Sequence, residues 1–362
     1  MAIWKIDELG EFVTLKRGYD LPQQKRKNGE IPIFSSSGVT GTHNEAMVEA
    51  PGVITGRYGT IGEVFFAETS FWPLNTTLYV EKFHENDEKF VYYFLKTLEW
   101  KKFASASAVP GINRNTVHKE IVRFPDFETQ QKIASVLSTI DKKIAVNKAI
   151  NDNLEQQAAA LFSSLYNRSN TEVRYTDLIQ ILGGGTPKTG ETAYWNGNIA
   201  FFTPKDVGTP YTFITEKTIT EEGLSHCNSR LYPVNTVFVT ARGTVGKVGL
   251  SGIPMAMNQS CYALVGKETH QLLVYFYTLK AVDRLKHKAS GAVFDAITTR
   301  DFDSEQIMKL SDDDAKAFLC VAEPMFQEML NNSIENLRLS TLRDFLLPKL
   351  MSGEIDVSSV QL

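Results

Sequence analysis

The chain has 362 residues, of which 43% are hydrophobic and 22% are charged. This composition is typical of a globular protein, and the length suffices for two or three domains. There is no apolar window of roughly 18 residues and no signal-peptide pattern at the start, so we expect a cytoplasmic protein without a membrane partner. The three cysteines lack Cys-x-x-Cys spacing, which excludes a zinc cage and a disulfide framework, and we expect them to be packing residues.

The net charge of −4 is unevenly distributed along the chain. Residues 311–362 contain 4 basic and 9 acidic side chains, whereas residues 1–127 contain 15 and 16, and residues 171–310 contain 14 and 13. The two larger regions are therefore nearly neutral, and each is able to present a local basic face. A nucleic-acid partner is not excluded by the overall charge.

An internal repeat spans about half of the chain. "VITGRYGTIGEV" at 53–64 aligns with "VFVTARGTVGKV" at 237–248, an offset of 184. The same offset brings residues 73–75 over 257–259, and a similar one brings residues 90–98 over 272–280. We therefore predict two related globular units, each followed by a long helix.

Each unit has the pattern of a mixed α+β fold with an open or curved sheet. Short β-branched and aromatic runs bounded by glycine, proline and asparagine predict strands, and longer runs with helical spacing predict helices. The predicted strands are Thr77–Val80, Ile199–Thr203 and Val237–Thr240, and the predicted helices are Lys89–Lys102 and His270–Lys286. Glycines at 56, 59, 62, 243, 246 and 249 are predicted at strand ends, in turns and bulges that other residues resist.

Two long helices carry heptad patterns in which the spacing of apolar residues alternates between four and three. The first pattern runs through Ile133, Leu137, Ile140, Ile144, Asn147, Asn151, Leu154, Ala158, Leu161 and Leu165. The second runs through Phe318, Ala322, Met325, Met329, Asn332, Asn336, Leu339, Arg343, Leu346 and Leu350, with Ser311 and Asp314 as a capping box and Gly353 as the stop.

Both patterns carry an asparagine pair at the same place, and a buried asparagine fixes the register of paired helices. Only residues 167–172 separate the first helix from the second unit, so the second helix can pack on the first only by running back. We therefore predict an antiparallel coiled coil, with Asn147 near Asn336 and Asn151 near Asn332. Its length of roughly 55–60 Å would hold the units apart. The alternative is that each helix packs on its own unit and the asparagines are solvated.

Motifs of common enzymes are missing. "GGGTPKTG" at 183–190 has glycines and a lysine in the wrong order for a phosphate loop, and Gly-x-Gly-x-x-Gly, His-Glu-x-x-His and the Asn/Asp-Pro-Pro-Tyr/Phe motif of amino-methylating enzymes do not occur. The six histidines do not fall at metal-ligand spacing. This weakens an enzyme interpretation but leaves open an enzyme with an unrecognised site, or a scaffold whose repeated units bind peptides or glycans.

Polar and basic side chains near the glycine turns are suited to DNA. Arginine can bond guanine or phosphate, amides suit adenine, and hydroxyls and lysines suit phosphates. Each has a structural alternative: an ion pair for the arginines, a turn role for the asparagines and a solvated face for the lysines. The candidate contacts are Arg17, Lys25, Arg26, Ser36, Arg57, Tyr58, Asn75, Thr76, Thr186, Lys188, Lys205, Arg242, Thr244, Asn258 and Gln259.

These motifs resemble the DNA-specificity subunits of type I restriction-modification enzymes. "GGGTPKTGETAYWNGNIAFFTPKDV" at 183–207 is similar to the entry of their target-recognition domain, "ARGTVGKV" to its arginine-glycine turn, and "LLPKLMSGEI" at 346–355 to the end of their second conserved helix. The first unit departs from the pattern. Its "LKRGYDLP" lacks the Gly-Thr-Pro entry, and its arginine precedes the glycine by two residues instead of one.

The resemblance implies a non-catalytic subunit that reads a bipartite site in double-stranded DNA. Two methylation subunits would dock on the helices and carry S-adenosylmethionine, so that this chain needs no cofactor or metal, and restriction and translocase subunits would complete the complex. The implied fold is α+β, with two target-recognition domains in tandem and two long helices forming an antiparallel coiled coil. We place domain 1 at 1–127, helix 1 at 128–168, domain 2 at 169–310, helix 2 at 311–355 and a C-terminal tail at 356–362.

Overall fold

The computed structural model describes residues 3–104, 110–208, 210–288 and 296–360. Contacts within the chain group it into two compact units. Unit 1 comprises Met1–Val146 and Asn336–Leu362, and unit 2 comprises Asn147–Glu335. Each unit thus contains part of each long helix. The domain boundaries predicted from the sequence count the helices as separate segments, and they stay a prediction.

Unit 1 contains a four-stranded sheet, a three-stranded sheet and a two-stranded ribbon. Its strands are β1 (Trp4–Glu8), β2 (Thr14–Arg17), β3 (Ile31–Ser35), β4 (Gly38–His43), β5 (Gly52–Gly56), β6 (Val64–Ala67), β7 (Trp72–Pro73), β8 (Thr77–Lys82) and β9 (Ile121–Pro125). Its helices are α1 (Leu9–Phe12), α2 (Glu88–Thr97), α3 (Arg114–His118) and the first part of α4 (Phe127–Arg168). The strand orders are β2-β8-β5-β6, β4-β3-β7 and β1-β9.

Unit 2 repeats this plan with one added strand. Its strands are β10 (Thr171–Arg174), β11 (Ile179–Gly183), β12 (Trp195–Phe202), β13 (Tyr211–Thr212), β14 (Lys217–Ile219), β15 (Val237–Thr240), β16 (Val248–Ser251), β17 (Met255–Met257), β18 (Cys261–Gly266) and β19 (Gln306–Lys309). Its helices are α5 (Tyr175–Leu178), α6 (Glu221–Ser225), α7 (Gln271–Lys288), α8 (Thr299–Ser304) and the first part of α9 (Asp312–Ser352). The orders are β11-β18-β15-β16-β13, β14-β12-β17 and β10-β19.

The two strand orders correspond element by element. The pairs β2/β11, β8/β18, β5/β15 and β6/β16 hold the same places in the larger sheets, and β7 and β17 each pair in parallel with the strand that enters the smaller sheet. The predicted repeat and the α+β fold are therefore confirmed within each unit.

The predicted elements are present, with shifted ends. β12 begins four residues before the predicted Ile199 and ends one residue before Thr203, and β8 extends two residues beyond the predicted Val80. β15 has the predicted bounds, and α7 differs from its prediction by one or two residues at each end. The helix predicted for Lys89–Lys102 is wrong beyond Thr97, because the chain turns extended at Leu98 and the Trp100 indole donates to the Leu95 carbonyl at 2.7 Å. Trp100 thus satisfies a carbonyl that a continued helix would have satisfied.

In unit 1 the start of α4 packs beside the end of α9, so the two segments run antiparallel. Ile133 and Leu137 share one buried cluster with Leu350 and Met351. Arg343, which occupies a heptad position among apolar residues, donates to Asp141 of α4 at 2.8 Å. The Tyr93 hydroxyl of α2 donates to the same carboxylate at 2.6 Å, which ties the helix pair to the globular part of the unit.

In unit 2 the end of α4 lies beside the start of α9, and the direction is again antiparallel. Arg168 bonds Asp314 at 2.8 Å, and the rings of Phe162 and Phe318 are 5.5 Å apart. Phe162 also stacks on Phe276 of α7 at 4.9 Å. The helices therefore pack on each other and also on their own unit, so pairing of the helices and packing on the unit are not exclusive.

In unit 2, Asn147 and Asn332 are buried in the helix pair and Asn151 is half-buried. Asn332 donates to the Asn151 carbonyl oxygen at 3.0 Å, which confirms that predicted pair, and the side chain of Asn332 is only 6% exposed. Asn147 is fully buried and donates to Glu335 at 2.7 Å. The predicted pairing of Asn147 with Asn336 stays a prediction.

The ends of α9 agree with the sequence, but one cysteine does not. Ser311 accepts from the Asp314 backbone amide at 3.1 Å, and Gly353 follows the helix with φ +77°. In the described part of the predicted tail, 356–360, Val357 is buried in the core of unit 1. Cys320 is exposed, so its interpretation as a packing residue is wrong, because it lies two residues past the heptad position at Phe318.

Within the described ranges, no helix has both the length and the apolarity that a membrane crossing requires.

We predict that Asn151 and Asn332 are energetically coupled. Changing either residue to alanine leaves a buried amide without its partner, which costs about 1–3 kcal/mol. The double variant should cost less than the sum of the two single variants, by about 0.5–2 kcal/mol, in a double-mutant cycle on denaturant unfolding of the full chain. Asn153→Ala, on the exposed surface of α4, serves as the control. Strict additivity would contradict the pairing.

We further predict a pH-dependent contribution from Asp126, which caps the start of α4. Its carboxylate accepts from the backbone amides of Ile3 at 2.7 Å and Thr129 at 3.0 Å, and these bonds hold its pKa below the usual value. Because the folded pKa is depressed, the stabilisation is present above the unfolded pKa near 3.8 and is lost as pH falls through the folded pKa.

Asp126→Ala should therefore lower the free energy of unfolding by about 1 kcal/mol at pH 7. The difference from wild type should shrink in acid. Unfolding curves between neutral pH and pH 3 measure this, with the exposed Asp152→Ala in the same helix as control. A difference that stays constant over this range would show that the carboxylate charge is not involved.

Candidate nucleic-acid interface

In each unit a glycine turn follows the central strand of the larger sheet. After β5 the chain turns through Gly59, and after β15 it turns through Gly243, with φ of +75° and +82°. Residues other than glycine are strained at these angles, so the conformation of each turn depends on its glycine. Gly249 lies inside β16 and does not belong to the turn, so its predicted role at a strand end is wrong.

The turns are held by the same backbone hydrogen bonds. In each unit one carbonyl accepts from two consecutive amides at the start of the turn. The bonds are Arg57 N to Thr76 O at 2.9 Å, Tyr58 N to Thr76 O at 3.2 Å, Ala241 N to Ser260 O at 2.8 Å and Arg242 N to Ser260 O at 3.2 Å. Arg57 therefore corresponds to Ala241, and the counterpart of Arg242 is Tyr58.

Arg57 is engaged with its own unit. It is half-buried, its Nε donates to the Ile112 carbonyl at 3.2 Å, and its guanidinium lies 4.5 Å from the centre of the Tyr58 ring. Of the two arginines at the glycine turns, Arg57 and Arg242, the exposed one is Arg242.

In unit 2 the turn borders an open pocket of about 330 Å³. Three of the predicted residues, Lys205, Arg242 and Asn258, line this pocket together. Lys217 lines it too, although the sequence did not suggest this residue. Three cationic groups and an amide thus converge, partly balanced by Glu216, which lies 3.3 Å from the Lys205 ammonium. Such a site suits an anionic or polar ligand edge.

The other predicted residues of unit 2 do not line this pocket, and two of them, Thr244 and Gln259, lie next in the chain to residues that do. Thr244 donates to the Pro204 carbonyl at 3.1 Å, which places it next to the pocket wall. Thr186 donates to the Gln259 carbonyl oxygen, next to Asn258 in the chain. Lys188 is exposed on the entry loop, where its carbonyl accepts from the Trp195 indole at 3.2 Å. The structure brings Thr186 and Gln259 together and leaves Lys188 on its own loop.

In unit 1 a comparable group forms at the equivalent turn. Asn75 donates to the Asp20 carboxylate, and Arg17 lies 3.8 Å from the same oxygen. Ser36 approaches the turn, since a Cβ placed on Gly59 would lie 3.3 Å from its hydroxyl. Together with Tyr58 and Thr76, these residues form the polar surface at the Gly59 turn. Asp20 is a member that sequence reasoning missed.

Lys25 and Arg26 lie elsewhere in unit 1. Arg26 donates to the Thr40 carbonyl at 3.3 Å, so the segment follows β4 and not the Gly59 turn. Lys25 precedes it in an exposed turn.

The sequence carries a weak signal for Asp20 and none for Lys217. Asp20 follows Gly18 as Thr186 follows Gly184, but the offset here is 166 and not 184, so a fixed-offset alignment misses it. Lys217 begins β14, far in sequence from the glycine turn, and nothing in its own spacing marks it.

Comparisons with known proteins show the family to which the chain is similar. The family model of the type I restriction modification DNA specificity domain matches residues 1–156 and 167–309. The HindI specificity subunit of Haemophilus influenzae is 25% identical over 345 residues, covering 72% of this chain and 75% of that protein. The EcoR124I/EcoR124II specificity subunit of Escherichia coli is 29% identical over 204 residues, covering 52% of this chain and 50% of its own length.

A solved structure has the same fold. The S subunit of a type I restriction-modification system from M. genitalium superposes with a TM-score of 0.66, at 17% identity, and the match covers 96% of each chain. The family model matches most of this chain, in two successive segments that correspond to the two repeats. The chain therefore belongs to the family of type I restriction-modification DNA specificity subunits.

Proposed function

We propose that this chain is the non-catalytic subunit that reads a bipartite site in double-stranded DNA, one half with each unit. The observation that carries the proposal is the repeated glycine turn, which has the same backbone bonds in both units but different polar side chains at equivalent positions. A constant frame with variable side chains is what two readers of different half-sites require, because base edges are distinguished by hydrogen-bond pattern.

Family members assemble with other subunits, and we propose specific partners for this one. Two methylation subunits dock on the helix pair and supply S-adenosylmethionine and the methyl transfer, and restriction and translocase subunits complete the complex in the cytoplasm. The small net charge supports this division of roles, since a chain of charge −4 gains little from phosphate attraction by itself. The assembled complex is therefore the species to test.

We assign the DNA contacts in two groups. In unit 2 the exposed cations and amides of the pocket and entry loop contact base edges and phosphates. In unit 1 the polar surface at the Gly59 turn does so, together with Lys25 and Arg26 beside β4. The proposed contacts are Arg17, Lys25, Arg26, Ser36, Arg57, Tyr58, Asn75, Thr76, Thr186, Lys188, Lys205, Arg242, Thr244, Asn258 and Gln259. Arg57, bonded to Ile112, supports Tyr58 more than it reaches outward.

The proposal as a whole is tested by reconstitution. The methylation subunits, purified with and without this chain, are titrated with labelled duplexes that carry the methylated sequences of the host genome. We expect specific binding only with this chain present. Binding without it, or methylation by this chain alone, would contradict the proposed role.

We predict that Arg242→Ala weakens DNA binding by the assembled complex by about 1–3 kcal/mol, because an exposed guanidinium at the pocket would lose a base or phosphate contact. Fluorescence anisotropy at fixed salt measures this. Arg174→Ala is the matched control, since it removes an exposed arginine of the same unit that lies on the β10-β19 ribbon and pairs with Asp177. Wild-type affinity of Arg242→Ala would reject the assignment.

We predict that inserting one heptad into both α4 and α9 changes the number of base pairs tolerated between the half-sites. Seven residues add about 10 Å of helix, which corresponds to roughly three base pairs, while the heptad phase is kept. The gap is measured by selecting bound duplexes from a library with variable spacing. The control inserts the heptad in α4 alone, which should disrupt the pairing. An unchanged gap in the double insertion would refute the spacer role.

A further inference from the structure

A pair of polar side chains occupies the same place in both units. In unit 1 the side chains of Asp20 and Asn75 are hydrogen-bonded, and in unit 2 those of Thr186 and Gln259. In unit 1 the pair joins the segment after β2 to the segment after β7, and in unit 2 it joins the segment after β11 to the segment after β17. The four residues are therefore candidates for a common role.

The backbone establishes the equivalence. Gly18 and Gly184 press against the carbonyls of the opposite segment, where an added Cβ would lie 2.2 Å from Leu74 O and 2.1 Å from Asn258 O. The next residue donates in each case: Tyr19 N to Pro73 O at 2.8 Å, and Gly185 N to Met257 O at 3.1 Å. Counting onward from these contacts, Asp20 corresponds to Thr186 and Asn75 to Gln259.

The two pairs have opposite hydrogen-bonding character. A carboxylate only accepts, so the Asn75 amide nitrogen must face Asp20. The second Asp20 oxygen and the Asn75 carbonyl oxygen then remain as acceptors. In unit 2 the Thr186 hydroxyl donates to the Gln259 carbonyl oxygen, which leaves the Gln259 NH₂ group as a donor. Unit 1 therefore presents mainly acceptors, beside one remaining Asn75 N–H, where unit 2 presents the two Gln259 N–H donors beside the Thr186 oxygen.

Both pairs are open to solvent. The Asp20 side chain is 71% exposed, and Gln259 is exposed as well. Arg17, 3.8 Å from Asp20, offsets part of the negative charge that would otherwise repel DNA phosphates. An exposed carboxylate on a DNA-facing turn is favourable only where it accepts from a base amino group.

We propose that these pairs are specificity-determining residues, an inference that rests on the proposed DNA-reading function. Asp20 with Asn75 selects, at one position of the half-site read by unit 1, a base that presents an amino group in the major groove, adenine or cytosine. Gln259 with Thr186 selects, in the other half-site, a base edge of acceptors, guanine N7 and O6 or thymine O4. Exchanging one pair changes the sequence read without moving the backbone.

The test uses the complex assembled from the full chain and its methylation subunits, and a duplex library with both half-sites randomised. Asp20→Asn should reduce the preference for an amino-bearing base at one position by roughly 5- to 150-fold. The half-site read by unit 2 should be selected as before, which shows that the variant complex is folded. Glu68→Gln, which removes a carboxylate that is 77% exposed and pairs with Lys89, is the charge-matched control and should keep the wild-type profile.

The outcomes distinguish a failure of the reading role of Asp20 and Gln259 from a failure of the proposed function. An Asp20→Asn profile equal to wild type, or an affinity loss that is equal for all sequences, would overturn the reading role, since a clamp for the turn acts on every sequence alike. Gln259→Glu is an independent variant and should shift preference in the other half-site toward amino-bearing bases, and no shift there overturns the proposal too. A wild-type complex that enriches no sequence would instead refute the proposed function itself.

Discussion

The apolar seam between α4 and α9 is the constraint on which both units depend. In unit 1 the buried cluster combines Ile133 and Leu137 with Leu350, Met351 and Val357, which lie more than 200 positions later in the chain. Unit 1 builds its core from two separate stretches of chain, and unit 2 brings the two ends of one long stretch together, with Phe162 and Phe318 in one cluster. Folding therefore requires the two helices to find the correct register. An all-leucine seam would pair almost as well after a slip of seven residues. Asn151 with Asn332 and Asp141 with Arg343 penalise that slip, because each slipped register buries a polar group without its partner.

Within each unit, the same backbone and side-chain bonds form at equivalent glutamates. Glu120 and Glu305 accept, through their carbonyls, from the first residues of α1 and α5 at 2.7 and 2.9 Å, and their carboxylates bond Lys102 and Lys288. Glu305 is fully buried, and removing Lys288 would leave its charge, among the described residues, to the more distant Arg284 guanidinium at 3.6 Å. A frame stabilised in this way keeps its geometry while exposed side chains at the turns differ.

Local periodicity and direct repetition made the helices and the turns predictable from the sequence. Heptads indicated both long helices and the Asn151–Asn332 pair, and the offset of 184 located both glycine turns. The candidate site was predicted less completely, because its members come from segments whose spacing differs between units. The segment from Gly184 to Asn258 in unit 2 corresponds to the segment from Gly18 to Leu74 in unit 1 and is 18 residues longer. Asp20 was missed for this reason.

The charge distribution explains why such a reader needs no basic overall composition. The acidic excess lies in the last segment, where Asp312, Asp313 and Asp314 stand at the start of α9 and are favoured by the helix dipole. At the glycine turns the charges are few and partly balanced. Glu216 faces Lys205 in a pocket that Lys217 and Arg242 also line, and Arg17 faces Asp20. Under the proposed function, these acidic partners lower the attraction of the turns to phosphate, and hydrogen bonds to base edges would then contribute a larger share of the binding free energy. That balance favours discrimination between sequences over affinity for DNA in general, because a phosphate contact is the same at every site whereas a base contact is not.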